Sequence, residues 1–242
     1  MASGESTTVS GVTLYWFPGT CARVPLVALE EIGQAFDAIT VNLFHDRERY
    51  KLVNPKGKVP ALVVDGRLIT EVPAISTYLA ERHPGARLLP AGDRDLELDV
   101  LSTMSWFAGG IHAALPRLRF PHLFSEGPES HEGIRAIARR TLEECFAILE
   151  CRLEGREWLY DEWSIVDAFL LWLWFRATGS GMDGSPFPNC IHHAQRCEQR
   201  PSVVRALDRE EQELARIVAA GDIPSGQRPY QVGRAPEHGR AA

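Results

Sequence analysis

The chain has 242 residues, 45% of them hydrophobic and 24% charged, a balance that supports a packed core and excludes wholesale disorder. Acidic residues outnumber basic ones, 32 to 26, so no basic excess points to nucleic acid. The longest apolar stretch, Ala168–Phe175, falls well short of the ~20 residues that cross a bilayer, so no membrane partner is expected.

Residues 1–10 read as a flexible polar tail, without the basic start or apolar core of a secretory signal. Val12–Trp16 is a β-rich run closed by Pro18-Gly19. Arg23–Gly33 carries Val24, Val27, Ala28 and Ile32 at helical spacing, with Gly33 as a stop. Phe36–Leu43 alternates apolar and polar and predicts a second strand. Asp46–Leu52 is a short helix or loop, and Asn54-Pro55-Lys56-Gly57 a turn. Val59–Val64 and Arg67–Thr70 flank Asp65-Gly66 as a hairpin. Val72–Arg82 follows as a helix whose Pro73 sits in the first turn, where a missing N–H costs nothing. A β-α-β unit followed by β-β-α over residues 11–86 is the thioredoxin-like order, an α/β layer architecture.

Residues 87–94 form a linker, after which the pattern changes. Asp95–Leu115, Glu132–Leu153, Ser164–Thr178 and Ser202–Ala219 all carry helical periodicity, so 95–220 is expected to be an all-helical domain. Ser164 and Asp167 have the spacing of a capping box, a folding signal rather than chemistry. Trp163, Trp172 and Trp174 read as core. Residues 221–242, rich in Gly, Pro, Arg and Ala, read as a C-terminal tail.

The five cysteines, Cys21, Cys145, Cys151, Cys190 and Cys197, are an odd, scattered set and make a poor disulfide framework. A reducing, cytoplasmic setting is expected. His192-His193 between Cys190 and Cys197 invites a metal reading against that of surface and core residues of one helix. No second ligand pair with metal-site spacing is present, so no metal is expected.

Three places can carry chemistry. Cys21 stands where the first helix begins, and the N–H groups and dipole there favour a thiolate, lowering such a thiol below its ordinary ~8.5. It has no resolving cysteine nearby, so a redox cycle needs an external thiol. Val59-Pro60 opens a strand, where a cis peptide would free backbone for a ligand and a trans one would be ordinary. Thr70-Glu71-Val72-Pro73 opens another helix. Its N–H groups suit a carboxylate, and Glu71 either binds an amine or complements the dipole. Tyr15 and Thr20 are the nearby hydroxyl donors, with Tyr15 also placed to pack in the first strand.

Leu14–Cys21, Ala28–Gly33, Asn54–Leu62, Thr70–Leu79 and Trp163–Phe169 together resemble glutathione S-transferases, the bacterial beta class most closely, across roughly residues 12–215. The resemblance implies a thioredoxin-like N-terminal domain plus an all-α C-terminal domain, glutathione as cosubstrate, and a homodimer. By that resemblance Cys21 is the catalytic cysteine. Val59 pairs its backbone with the cysteinyl part of glutathione, with Pro60 in cis. Glu71 and the Val72 backbone hold the γ-glutamyl end, and His112 faces the active site from the helical domain. Ser105 stands where the beta class has an amide side chain. Valine at 72 supplies no hydroxyl, so its contact must come from N–H.

The expected activity is conjugation of glutathione to a small hydrophobic electrophile, or thiol transfer or peroxide reduction through a mixed disulfide at Cys21. The cysteine tilts the choice toward the mixed disulfide. The alternatives are a non-catalytic binding or regulatory protein of the same fold, or a specialised glutathione-dependent lyase, isomerase or dehalogenase.

Overall fold

The computed structural model describes residues 11–42 and 45–222. The tail read at 1–10, Leu43 at the end of the second strand region, and all but two residues of the tail at 221–242 lie outside the described residues. The described chain forms two compact units, one of residues 11–86 with 205–222 and one of residues 87–204.

The first unit is built on a four-stranded sheet in the order β2-β1-β3-β4, with β1 Val12–Trp16, β2 Asp37–Thr40, β3 Ala61–Val64 and β4 Arg67–Thr70. β1 runs parallel to β2 (Leu14 opposite Ala38) and antiparallel to β3 (Leu14 opposite Leu62). Helix α1 (Arg23–Ile32) makes the crossover between the parallel strands. It ends where expected: Gly33 is left-handed, and its N–H returns to the Leu29 carbonyl. The β3–β4 hairpin turns on Asp65 and Gly66, both at positive φ, 48° and 79°, the two left-handed residues a type I′ turn requires.

Side chains alternate across the sheet. Leu14, Trp16 and Leu62 are fully buried on one face. Helices α1 and α3 (Val72–Arg82) pack together. On the other face Phe17, Val41, Val59 and Ala61 cluster with Tyr50 of the short helix α2 (Arg47–Tyr50) and with Ile217. Ile217 comes from α9 (Pro201–Ala219). Sequence periodicity keeps that helix with the others of 95–220. The packing units instead divide it at Val204, and the residues from Arg205 onward belong to the first unit.

The second unit is helical, with α4 (Arg94–Trp106), α5 (His112–Arg119), α6 (His131–Arg152), α7 (Ile165–Thr178) and α8 (Pro188–Cys197). The single rod expected over Asp95–Leu115 is interrupted by a π-helical turn at Phe107–Ile111. The Gly109-Gly110 pair is weakly helical. Gly110 also makes room: a Cβ there would stand 2.8 Å from Cδ1 of the Trp106 indole. Helix α7 is buried from Ile165 to Ala177, which marks it as the centre of the bundle. Phe107 meets Phe169 edge-on at 5.5 Å, and Phe146 meets Trp174 at 5.2 Å.

The cysteines and histidines of 190–197 lie on one helix, α8. His193 is buried and turns to Asp167, with Nε2 2.9 Å from Oδ1. Asp167 Oδ2 accepts the Ser164 N–H at 2.8 Å, closing the capping box, and Oδ1 accepts the Leu159 N–H at 2.9 Å.

Candidate active site

Cys21 occupies a tight turn between β1 and α1. Thr20 shapes that turn from both sides: its hydroxyl donates to the Phe17 carbonyl at 2.7 Å and accepts the Ala22 N–H at 3.3 Å. The Arg23 N–H bonds to the Thr20 carbonyl and the Val24 N–H to the Cys21 carbonyl, both at 3.1 Å. The cysteine therefore sits in the turn leading directly into the helix, where the Ala22, Arg23 and Val24 N–H groups are taken up by Thr20 and Cys21 and Pro25 supplies none. The residue is buried, 8% exposed, whereas Cys151 is exposed. The Cys21 Sγ lies 3.7 Å from the Val59 carbonyl oxygen, to which the thiol donates.

Val59 is presented by a loop that the sequence builds locally. Asn54 is buried, and its Nδ2 donates to the Lys58 carbonyl at 2.7 Å. Its Oδ1 accepts the Lys56 N–H at 3.1 Å. The Tyr50 hydroxyl reaches the same Lys58 carbonyl at 3.1 Å, and burial pushes this phenol up to about 12. Gly57 takes φ 60°, open to glycine at no steric cost. The Val59–Pro60 peptide is cis.

The strand register joins this loop to the third motif. Ala61, next to Pro60, stands opposite Thr70, the residue before Glu71. Glu71 is held at φ 73°, ψ 128°, a conformation that costs a non-glycine residue of order 1–3 kcal/mol. Such outliers cluster at ligand clamps. The Ile75 N–H is bonded to the Glu71 carbonyl at 2.9 Å. No side chain caps α3, so the Val72 and Ala74 N–H groups point out of the helix start. Glu71 Oε1 accepts from Lys56 Nζ at 2.6 Å, and the same ammonium donates to Thr70 Oγ1 at 2.9 Å. Both partners are more than half exposed, so the pair contributes at most about 1 kcal/mol. A ligand ammonium could exchange with it.

Cys21, Val59, Pro60, Glu71 and Val72 are thus strung along one end of the sheet. Lys56 joins them, although its lysine-in-a-turn context gave no sign of its partner. The Tyr15 ring lies 5.7 Å from that of Tyr50, against the same apolar cluster. Ser105 and His112 belong to the second unit. Ser105 is exposed on α4, and the half-buried His112 meets the Trp172 ring edge-on at 4.7 Å.

The family model "Glutathione S-transferase, N-terminal domain" matches residues 14–87. Glutathione S-transferase GstA of Escherichia coli O157:H7 is 30% identical over 205 residues, which cover 81% of this chain and 98% of that one. A beta-class glutathione S-transferase structure from Sphingomonas chungbukensis is 33% identical with a TM-score of 0.73, covering 82% and 98%. A sphingomonad glutathione S-transferase complexed with glutathione is 32% identical with a TM-score of 0.74, again covering 82% and 98%. Similarity extends to a probable maleylacetoacetate isomerase of Caenorhabditis elegans, 29% identical over 72% of this chain and 81% of that one.

Proposed function

The chain belongs to the glutathione S-transferase family, and from that premise we propose that it is a glutathione-dependent enzyme whose working nucleophile is Cys21. The observation that carries the reading is the position of that thiol in the turn entering α1, 3.7 Å from the Val59 carbonyl. Glutathione lies extended along the Val59-Pro60 backbone in this reading, its sulfur toward Cys21. The γ-glutamyl ammonium replaces Lys56 at Glu71, and the γ-glutamyl carboxylate takes the Val72 N–H and the displaced Lys56 ammonium.

Cys21 loses its proton to solvent and its thiolate attacks the glutathionyl sulfur of a mixed disulfide between glutathione and a second thiol. The S–S bond breaks, a Cys21–glutathione disulfide forms, and the second thiolate leaves to take up a proton. A glutathione thiol then attacks the Cys21–glutathione disulfide, regenerating Cys21 and releasing oxidised glutathione. The same anchored glutathione can instead attack a small hydrophobic electrophile. This chemistry requires a supply of reduced glutathione, so we place the protein in the cytoplasm. Leu98 and Leu101, 47% and 46% exposed on α4, support a homodimer by offering apolar surface to a second copy.

The test is mass spectrometry after oxidised glutathione, with one adduct expected on Cys21. A Cys21→Ala variant with unchanged turnover would remove the cysteine's catalytic role. Absence of any thermal shift with glutathione would remove the enzyme reading. The similarity to a maleylacetoacetate isomerase favours a second reading, isomerisation of a cis-alkene. There a thiolate adds to the double bond and is expelled after rotation. That reaction consumes no glutathione, and the thiol balance distinguishes the two.

A further inference from the structure

Arg23, the first residue of α1, forms a forked ion pair with Glu210 of α9. Its Nη2 lies 2.6 Å from Oε2, and its Nε 3.2 Å from both carboxylate oxygens. The side chains are 1% and 0% exposed. Burying two charges is costly, and apolar residues of similar volume often hold two helices together equally well. What the fork adds is direction, because a planar guanidinium meets a carboxylate in one orientation.

Arg23 is two residues from Cys21, and its own N–H closes the cysteine's turn on the Thr20 carbonyl. Fixing the Arg23 side chain therefore fixes that turn. Two turns further along α9, Ile217 packs in the cluster that contains Phe17 and Val59. Phe17 receives the Thr20 hydroxyl, and Val59 carries the carbonyl facing the Cys21 sulfur. Both sides of the sulfur–carbonyl contact are thus held from one helix segment. The grip is reinforced by Arg205 and Arg209, which bond Glu30 at 2.9 and 2.8 Å, and by Asn42, which donates to the Asp222 carbonyl at 2.8 Å.

We propose that residues 205–219 of α9, through Glu210 and Ile217, are the positioning element of Cys21, aligning its sulfur with a disulfide docked along the Val59 backbone. The inference rests on the reading of Cys21 as nucleophile. The bond changes are those of the first exchange step above, with oxidised glutathione as the disulfide: its S–S bond breaks, a Cys21–glutathione disulfide forms and glutathione thiolate leaves. Glu210 and Ile217 touch neither reactant.

The test uses the full chain and two probes. Oxidised glutathione must dock before it reacts, whereas iodoacetamide reports only the intrinsic reactivity of the thiol. The paired substitution Arg23→Met with Glu210→Leu removes both charges together. It should fold with a melting temperature near that of the parent and alkylate at a similar rate, while glutathionylation of Cys21 slows by about tenfold or more, the scale of a misaligned attack. Ile217→Ala should show the same selective loss. If the paired variant folds and glutathionylates at the parent rate, the ion pair is structural only and the proposal is wrong. Should that variant fail to fold, Glu210→Asp keeps the charge and shifts the fork by one methylene. A parent-like glutathionylation rate there overturns the proposal equally. If the parent chain itself gives no adduct on Cys21, the nucleophile reading has failed and takes this inference with it.

Discussion

Asp167 is the residue whose loss the structure makes easiest to cost. Its carboxylate is fully buried and takes the Leu159 N–H at 2.9 Å, the Ser164 N–H at 2.8 Å, the Ser164 hydroxyl at 3.2 Å and the His193 ring at 2.9 Å. Asp167→Ala leaves three N–H donors without an acceptor, while the hydroxyl can turn elsewhere. Each buried donor left unsatisfied costs about 1–3 kcal/mol. With partial relaxation the total is about 4–6 kcal/mol, a large share of the ~5–15 kcal/mol that holds a typical domain. Ser164→Ala removes only one arm of the capping box and should cost about 1 kcal/mol. Urea unfolding followed by tryptophan fluorescence measures both. The large gap between the two variants is the signature, since capping alone would make them alike. An Asp167→Ala loss below about 1 kcal/mol would refute the reasoning.

Glu71→Gln keeps shape and loses charge, so glutathione affinity should fall about tenfold, the loss of one charge-assisted hydrogen bond. Lys56→Met should weaken binding less, because it also frees Glu71 from a competing ion pair; isothermal titration ranks the two. Burial pushes the Cys190 thiol up, with Glu150 adding to it, and burial followed by Asp167 pushes up Cys197. The folded state therefore keeps protons that the unfolded thiols begin to release near ~8.5, so stability present below that pH should fall as pH rises through 8 to 10. Urea midpoints should show this slope, and a Cys190→Ala, Cys197→Ala double variant should flatten it; an unchanged slope contradicts the assignment. Leu98→Asp with Leu101→Asp should convert a dimer to monomers by light scattering, and a persisting dimer would move the subunit contact elsewhere.

Much of the first unit is legible in the chain. Val12–Trp16, Arg67–Thr70 and Val72–Arg82 are strands and a helix at the residues the pattern predicts, because alternation, a glycine-bearing turn and a proline in the first helical turn are local facts. The Cys21, Val59-Pro60 and Glu71 motifs were equally visible, each as the start of an element. Less visible was anything that depends on a single neighbour across a turn. The π-helical interruption needs the Trp106 indole lying against Gly110, and Lys56 meets Glu71 only once the hairpin brings Thr70 opposite Ala61.

By itself, then, the sequence determined the order of strands and helices, the change from α/β to helical character after residue 86, and the three short segments that assemble the candidate site. Local dihedral preference and hydrophobic period act over a few residues, and they suffice for that. Only the tertiary structure decided that Cys21 faces the Val59 carbonyl, that Glu71 is shared with Lys56, and that α9 from Arg205 onward packs with the first unit. The Arg23–Glu210 pair spans 187 positions. Nothing in either residue's neighbourhood specifies its partner, because charge complementarity leaves many pairings open until the burial of both helices selects one.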